Sequence, residues 1–343
     1  MTDKNICIVP KLDGLGGPAS FQRRLIPLLR EYGCNVHHNL RDEHIDTILI
    51  NGGTRDIVGL IKAKQRGIRI VHRLAQMNWV HRQRFSGLAF SYRSERNNIL
   101  LAFIRRYLAD ALIYQSEFVQ SMWENKYGEV PGQANIIYNG VDTALFTPGK
   151  TIQADQIPIK IAVVEGHLGE GNEVYLANAI HFGEAMAKSC RLPVLLSVAG
   201  DVPQVLKNKW QRCSALFSTD WLGVVSSDEI IDIQHGSHFM FSAELNGGCP
   251  NSVIEALACG TPVLGYATGA LPELLKGNAG IAVPYGGNHW KLELADINGL
   301  VYASKTLLEN LPDYQLAARK KAVQAYDIRR VSEQYLQVLI NQE

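Results

Sequence analysis

Short apolar runs alternate with stretches of helical period along this chain, and the alternation starts twice. The first series of runs is Asn5–Val9, Cys34–His37, Thr47–Asn51, Arg69–His72 and Ala111–Gln115, with a clear amphipathic helix expected at Ala19–Tyr32, stopped by Gly33. Turn residues then cluster at Asn139-Gly140-Val141-Asp142, and Phe146-Thr147-Pro148-Gly149-Lys150 reads as a linker. A second series follows at Lys160–Val164, Leu195–Ala199, Ala215–Phe217, Phe239–Ser242, Pro262–Gly265 and Gly280–Val283. A strand–helix–strand rhythm with near-continuous apolar strands demands a parallel sheet covered on both faces. Two such series predict an α/β protein of two doubly wound domains, spanning 1–148 and 149–325, that face each other across a cleft. The segment 326–343 carries a last amphipathic helix, Val331–Leu339, expected to cross back to the first domain. In sheets of this kind ligands bind beyond the carboxyl ends of the strands.

Composition narrows the functional classes. The 343 residues carry a formal net charge of +1, which argues against a polybasic nucleic-acid binder. Six cysteines, at 7, 34, 190, 213, 249 and 259, form no CxxC pair, so neither a disulfide scaffold nor a zinc finger is expected. No apolar run approaches the ~18 residues of a membrane span. The start of the chain lacks the apolar core of a signal peptide, and a cytoplasmic protein is expected. The charge is unevenly spread. Up to residue 150 there are 20 basic and 13 acidic side chains, and between Lys62 and Arg106 there are 11 basic residues against one acid, Glu95. Either this is a solvated basic face, or the first domain meets anions such as phosphates or an acidic lipid surface. Arg82, Arg84, Arg93 and Arg96 are the exposed candidates, on an expected loop at Trp79–Ser94.

Two segments carry candidate chemistry. Gly14-Leu15-Gly16-Gly17-Pro18-Ala19 follows the first strand and opens a helix, where glycines let the backbone approach a phosphate. A nicotinamide enzyme would place an acid at the end of the second strand, where this chain has His37-His38. The stronger segment runs from Ser242 to Val263. Its strand ends in a Gly247-Gly248 loop, and a helix is expected to begin at Asn251 or Ser252, so the amides of Gly248–Ser252 can bind a phosphate or a sugar hydroxyl. Glu255, expected in the first helical turn, either accepts from vicinal ribose hydroxyls or closes a capping box with Ser252. There is no DxD, HExxH, GxSxG or Walker motif.

The stretch CPNSVIEALACGTPV from Cys249, followed by Thr268-Gly269-Ala270-Leu271-Pro272-Glu273, resembles the C-terminal signature of retaining GT-B glycosyltransferases of family 4. Tyr114-Gln115-Ser116, Trp123, Asn139–Asp142 and Phe146–Pro148 are similar to that family's domain exit, and Ala322–Leu339 to its final helix. The resemblance implies two Rossmann-like domains. It implies a nucleotide base held by backbone at Leu222, Gly223 and Val224, and a ribose held by Glu255. Phosphate and sugar would lie on Gly247, Gly248, Cys249, Pro250, Asn251 and Ser252, with Gly16 and Gly17 closing over the diphosphate. His72 and Arg73, at a strand end, would meet acceptor and donor sugar, with Trp79 and His81 on a following acceptor wall.

The chain departs from the family pattern in two places. The signature carries two glutamates eight residues apart, and the position eight before Glu255 is Gly247; Glu244 lies three residues earlier, within reach if the loop is longer. His167 stands where the family has an arginine, and Glu170 lies near its lysine. The implied activity is metal-independent, retaining transfer of a hexose, glucose favoured, from a UDP-sugar to a glycan or lipid-linked acceptor in polysaccharide synthesis. No cofactor is expected, and peripheral contact with the inner face of an anionic membrane is. The alternatives are a nucleotide-sugar epimerase of the same fold and a catalytically inactive donor-binding protein.

Overall fold

The computed structural model describes residues 4–14, 16–83, 87–150, 152–169 and 172–340. Leu15, Arg84 and Glu170, named above, lie outside the described residues. The chain divides into two compact units, one running through Gly140 and resuming at Tyr326, the other spanning Val141–Ala325.

Unit 1 holds six parallel strands, β1 (Lys4–Val9), β2 (Cys34–His37), β3 (Thr47–Asn51), β4 (Arg69–Leu74), β5 (Ala111–Tyr114) and β6 (Gln133–Ile136), ordered β2-β1-β3-β4-β5-β6. Its helices are α1 (Gly17–Glu31), α2 (Ile57–Gln65), α3 (Leu88–Phe103) and α4 (Glu117–Tyr127). Successive strand residues point to opposite faces, so Ile6 and Ile8 enter one core with Leu25, Leu29 and Val71, while Cys7 and Val9 enter the other with Ile50, Leu60 and Ile70. That double burial is why these strands read as unbroken apolar runs. α4 starts at Ser116, whose hydroxyl accepts from the Val119 amide.

Unit 2 holds β7 (Ile159–His167), β8 (Val194–Asp201), β9 (Phe217–Gly223), β10 (Phe239–Ser242), β11 (Val263–Tyr266) and β12 (Gly280–Val283), all parallel and ordered β12-β11-β10-β7-β8-β9. Its helices are α5 (Glu173–Cys190), α6 (Gln204–Trp210), α7 (Ser227–His235), α8 (Asn251–Ala258), α9 (Leu271–Leu274), α10 (Ile297–Glu309) and α11 (Leu311–Lys321). The strand order reverses between β7 and β10, and in unit 1 between β1 and β3; these are the points at which open parallel sheets bind ligands.

Three expectations need correction. The sequence places a strand at Ala215–Phe217, but β9 begins where that run ends and continues through the polar residues Ser218, Thr219 and Asp220. Trp79–Ser94 is not one loop, because α3 already starts at Leu88. The division between units falls after Gly140 rather than at 148, because Arg319 of α11 donates to the carbonyls of Thr143 (2.9 Å) and Phe146 (2.7 Å) and holds that stretch in unit 2.

The last helix, α12 (Ile328–Ile340), belongs to unit 1. Val331, Tyr335, Val338 and Leu339 complete the core around Ile6 and Val71. Polar contacts fix its register: Thr47 Oγ1 donates to the Leu339 carbonyl at 2.8 Å, and the Arg73 guanidinium donates to Tyr335 Oη at 3.0 Å.

Candidate active site

The switch point of unit 2 is built around a strand irregularity. From Val164 to His167 β7 advances three residues while β8 advances two, from Ala199 to Asp201. The extra residue is a bulge, which bends a strand end and re-aims its side chains. Gly200 makes the bulge possible: at φ +141° its Cα lies so close to the Glu165 carbonyl oxygen that no Cβ fits. Glu165 thereby reaches the loop after β10, where one carboxylate oxygen accepts from the amides of Ala243 (3.2 Å) and Glu244 (3.1 Å). The Glu244 carboxyl lies beside it. Burial and this neighbouring charge push the Glu165 carboxyl above the ordinary carboxylate range, and burial pushes Glu244 the same way.

Glu244 also bears on the missing first glutamate. A Cβ placed on Gly247 would lie 2.7 Å from a Glu244 carboxylate oxygen and 2.9 Å from Pro250 Cγ. The Glu244 carboxyl thus occupies the space in which a side chain at 247 would begin, having arrived by a different backbone route.

The loop is clamped from the far side by the second signature segment. The Asn246 amide donates to Thr268 Oγ1 at 3.3 Å, and the Ala270 amide to the Gly247 carbonyl at 2.9 Å. Gly269 sits between them at φ +61°, where a Cβ would come within 2.6 Å of both Gly247 N and O. Asn246 itself adopts the left-handed conformation and is fully buried, with both atoms of its side-chain amide unpartnered. A buried amide left in that state costs about 1–3 kcal/mol per unmet group.

α8 follows with Pro250 as its N-cap and no side chain capping it. This removes the capping-box alternative, since Ser252 lies inside the helix. Glu255 is its fifth residue, past the first turn, and 6% exposed. Gly248 and Cys249 are buried, while Pro250, Asn251 and Ser252 are half-buried. Leu222 and Gly223 end β9, and Val224 is exposed just beyond. His167 closes β7 on the surface, its Nδ1 3.0 Å from an Asp201 carboxylate oxygen.

In unit 1 the candidates are held differently. Gly16 is the N-cap of α1 and Gly17 its first residue, with the preceding loop tied down by Gln22, which donates to the Pro10 carbonyl at 2.7 Å. His72 and Arg73 are not at a strand end, because β4 continues to Leu74. His72 is fully buried and its Nε2 donates to the Gly52 carbonyl at 2.6 Å, so Nδ1 carries the lone pair. Burial pulls its pKa down to about 4. The Arg73 guanidinium is 2% exposed and engaged on every side, by Tyr335, by Asn51 (2.8 Å), by Asn139 (2.6 Å), by the Gln115 amide oxygen and by the Phe21 ring face. This geometry gives Arg73 a structural task, joining strand, domain exit and last helix. Trp79 and His81 are buried rather than forming an open wall, and His81 bonds Glu95 at 2.9 Å.

Sequence reasoning missed Glu165 and Asn246. The signal for Asn246 was its place before Gly-Gly, since asparagine tolerates positive φ. Glu165 carried the mark of an acid at the end of an apolar strand.

Two doubly wound units, one with its switch-point loop laid against a Thr-Gly-Ala turn, define the GT-B class of glycosyltransferases. Residues 168–310 match the family described as "Glycosyl transferases group 1" and residues 8–145 match "Glycosyltransferase Family 4". The chain belongs to this family. It is 22% identical over 245 residues to alpha-maltose-1-phosphate synthase of Mycolicibacterium smegmatis, covering 67% of this chain and 62% of that curated relative. Among solved structures, it shares the fold of sucrose-phosphate synthase from Thermosynechococcus elongatus (TM-score 0.73, 16% identity, 98% of each chain). It also shares that of Anabaena Alr3699/HepE in complex with UDP-glucose (TM-score 0.67, 15% identity, 98% of this chain and 99% of the other). Among the described residues, no helix is long and apolar enough to cross a membrane.

Proposed function

We propose that this chain is a retaining hexosyltransferase that uses a UDP-sugar, glucose favoured, and acts on a glycan or lipid-linked acceptor in polysaccharide synthesis. The observation that carries the donor reading is the loop clamped at the β7–β10 switch point, where the Asn246 backbone amide donates to Thr268 Oγ1 and the Ala270 amide to the Gly247 carbonyl. Glu244 takes the part of the first signature glutamate, Glu255 receives the ribose, and backbone from Gly247 to Ser252 holds phosphate and sugar. Backbone at Leu222, Gly223 and Val224 receives the base. The solved Alr3699/HepE complex with UDP-glucose supports the choice of donor.

The chemistry proceeds without a metal or other cofactor: the leaving phosphate takes the acceptor proton on the face it departs from, and helix and loop amides stabilise the diphosphate. His167, held by Asp201, stands in for the arginine of the family as a donor to that diphosphate. In the cell the protein works in the cytoplasm, in peripheral contact with an anionic membrane.

A thermal-shift screen of nucleotide sugars tests the donor. A ligand at ~100 times its dissociation constant stabilises the fold by ~2.7 kcal/mol. Stabilisation by UDP-glucose above other nucleotide sugars is expected, and no response to any UDP-sugar would refute the reading. Slow donor hydrolysis without acceptor separates an enzyme from an inactive binder, and labelled UDP-GlcNAc returned as its epimer would identify the epimerase.

A further inference from the structure

The basic stretch of unit 1 becomes specific once its single acid is followed. Glu95 is committed: its carboxylate takes Nε and Nη2 of Arg82 at 2.5 and 2.9 Å and His81 at 2.9 Å, and the Arg82 fork holds it down to about 2. It therefore neutralises Arg82 and leaves the other arginines of the stretch uncompensated. Two of these, Arg93 and Arg96, line a cavity of about 560 Å³ together with Arg55, which precedes the stretch. Among the described residues, none of the three has a carboxylate within ion-pair distance.

The cavity has a built wall. Its floor is the turn after β3, Gly53–Arg55, and the turn after β4 at Asn78, on the carboxyl side of the sheet where such folds bind ligands. α3 contributes Phe90, Arg93, Ser94, Asn97 and Leu100, spaced three and four apart on one helix face. The two sides are locked together. Asn98 is fully buried and bonds the Asn78 backbone twice, accepting from its amide (3.1 Å) and donating to its carbonyl (2.9 Å). Gly53 lets the helix approach, since a Cβ there would lie 2.8 Å from Leu101 Cδ2.

We propose that this cavity binds a phosphorylated saccharide, the acceptor of the transfer. The assignment rests on the glycosyltransferase reading and names the acceptor class for it. Guanidinium forks match phosphate oxygens two at a time, and three of them with no protein carboxylate select an anion of high charge density. Asn78, Asn97, Ser94 and Thr54 offer the mixed donors and acceptors that hydroxyls need, while Phe90 and Leu100 offer an apolar surface to the C–H face of a pyranose. The volume lies in the range of small-ligand pockets, which run from roughly 300 to 1,000 Å³. The phosphate can belong to a free sugar phosphate or to the head of a lipid-linked saccharide. Leu88, Tyr92 and Ile99 are exposed on the same helix, where an acyl or prenyl chain would pass.

The test compares the full chain with an Arg93→Ala/Arg96→Ala variant, both exposed positions on a helix surface. Probes are glucose 1-phosphate, methyl glucoside, inorganic phosphate, and neutral vesicles with or without a polyprenyl phosphate. Wild type should bind glucose 1-phosphate or the polyprenyl-phosphate vesicles, with the double variant at least tenfold weaker and equally folded by circular dichroism. Soluble binding identifies a free sugar phosphate, and vesicle binding alone a lipid-borne one. UDP is titrated in parallel as a control for the donor site and should bind both proteins alike. If UDP binds and neither phosphate probe does, or if the variant binds the probes as well as wild type, the cavity assignment falls while the donor reading stands. Equal binding of inorganic phosphate and glucose 1-phosphate also overturns it, as an anion site without sugar selectivity. Loss of UDP binding by wild type is a failure of the donor reading instead.

Discussion

Glu165 shows how one carboxyl can report on a whole loop. Burial and the Glu244 charge raise its pKa, so the folded state holds a proton that the unfolded chain releases. A raised carboxyl contributes stability that is complete below the ordinary carboxylate range and is lost as pH rises through the raised value. Wild-type stability is therefore expected to fall between mildly acidic and mildly alkaline pH, by at most about 1.4 kcal/mol per pH unit for each proton held. Glu165→Gln should flatten that slope, and urea melts across the range measure it; an unchanged slope would show that the pair is not the source. Glu255 makes a second test at this scale. Since Pro250 is the N-cap of α8 and Ser252 lies inside the helix, Glu255 does not form the capping box with Ser252. Glu255→Gln should weaken UDP binding by the worth of a charge-assisted bond, roughly 1.5–3 kcal/mol, with the melting temperature little changed. Calorimetric titration decides it, and intact affinity with lowered stability would make Glu255 a packing residue.

At the scale of elements, the donor loop depends on a turn it does not contain. Gly269→Ala would drive a Cβ into the Gly247 backbone at a φ that disfavours side chains, so the β10–α8 loop must move. The expected result is a loss of UDP affinity larger than the loss in thermal stability, read by titration and melting of one sample. A stability loss with normal affinity would mean that the turn supports the fold alone. Elements also show where reading the sequence stopped. β3 and β10 were legible because every residue of each is buried, and β1 because its last four residues form a buried apolar run; the edge strands β2 and β12 were legible as short runs with apolar residues beside turn glycines. β6 passed unseen because Gln133–Ile136 is a sheet edge, mostly exposed and without an apolar run. β9 was placed early because Ser218, Thr219 and Asp220 interrupt its hydrophobicity, although backbone pairing to β8 does not need side chains. The signature loop and Glu255 were legible by motif. The Glu165 bulge was not, because it is set by pairing with β8 and by a glycine 35 positions away.

At the scale of the whole molecule, the chemistry proposed for the donor site makes a simple demand. It assigns the stabilisation of the diphosphate to helix and loop amides. Transfer should therefore survive excess EDTA, and loss of turnover restored by Mn²⁺ or Mg²⁺ would overturn the mechanism. The path of the chain has a different consequence. Unit 2 is one continuous segment, whereas unit 1 is written in two pieces, its last helix more than 180 residues beyond Gly140. On the ribosome the first 140 residues emerge with the seat of Tyr335, Val338 and Leu339 still uncovered and with Arg73 lacking its phenol partner. The unit synthesised second can finish folding first, and the unit synthesised first waits for α12. A chain cut between Ala325 and the start of α12 would thus keep unit 2 whole and leave unit 1 unfinished.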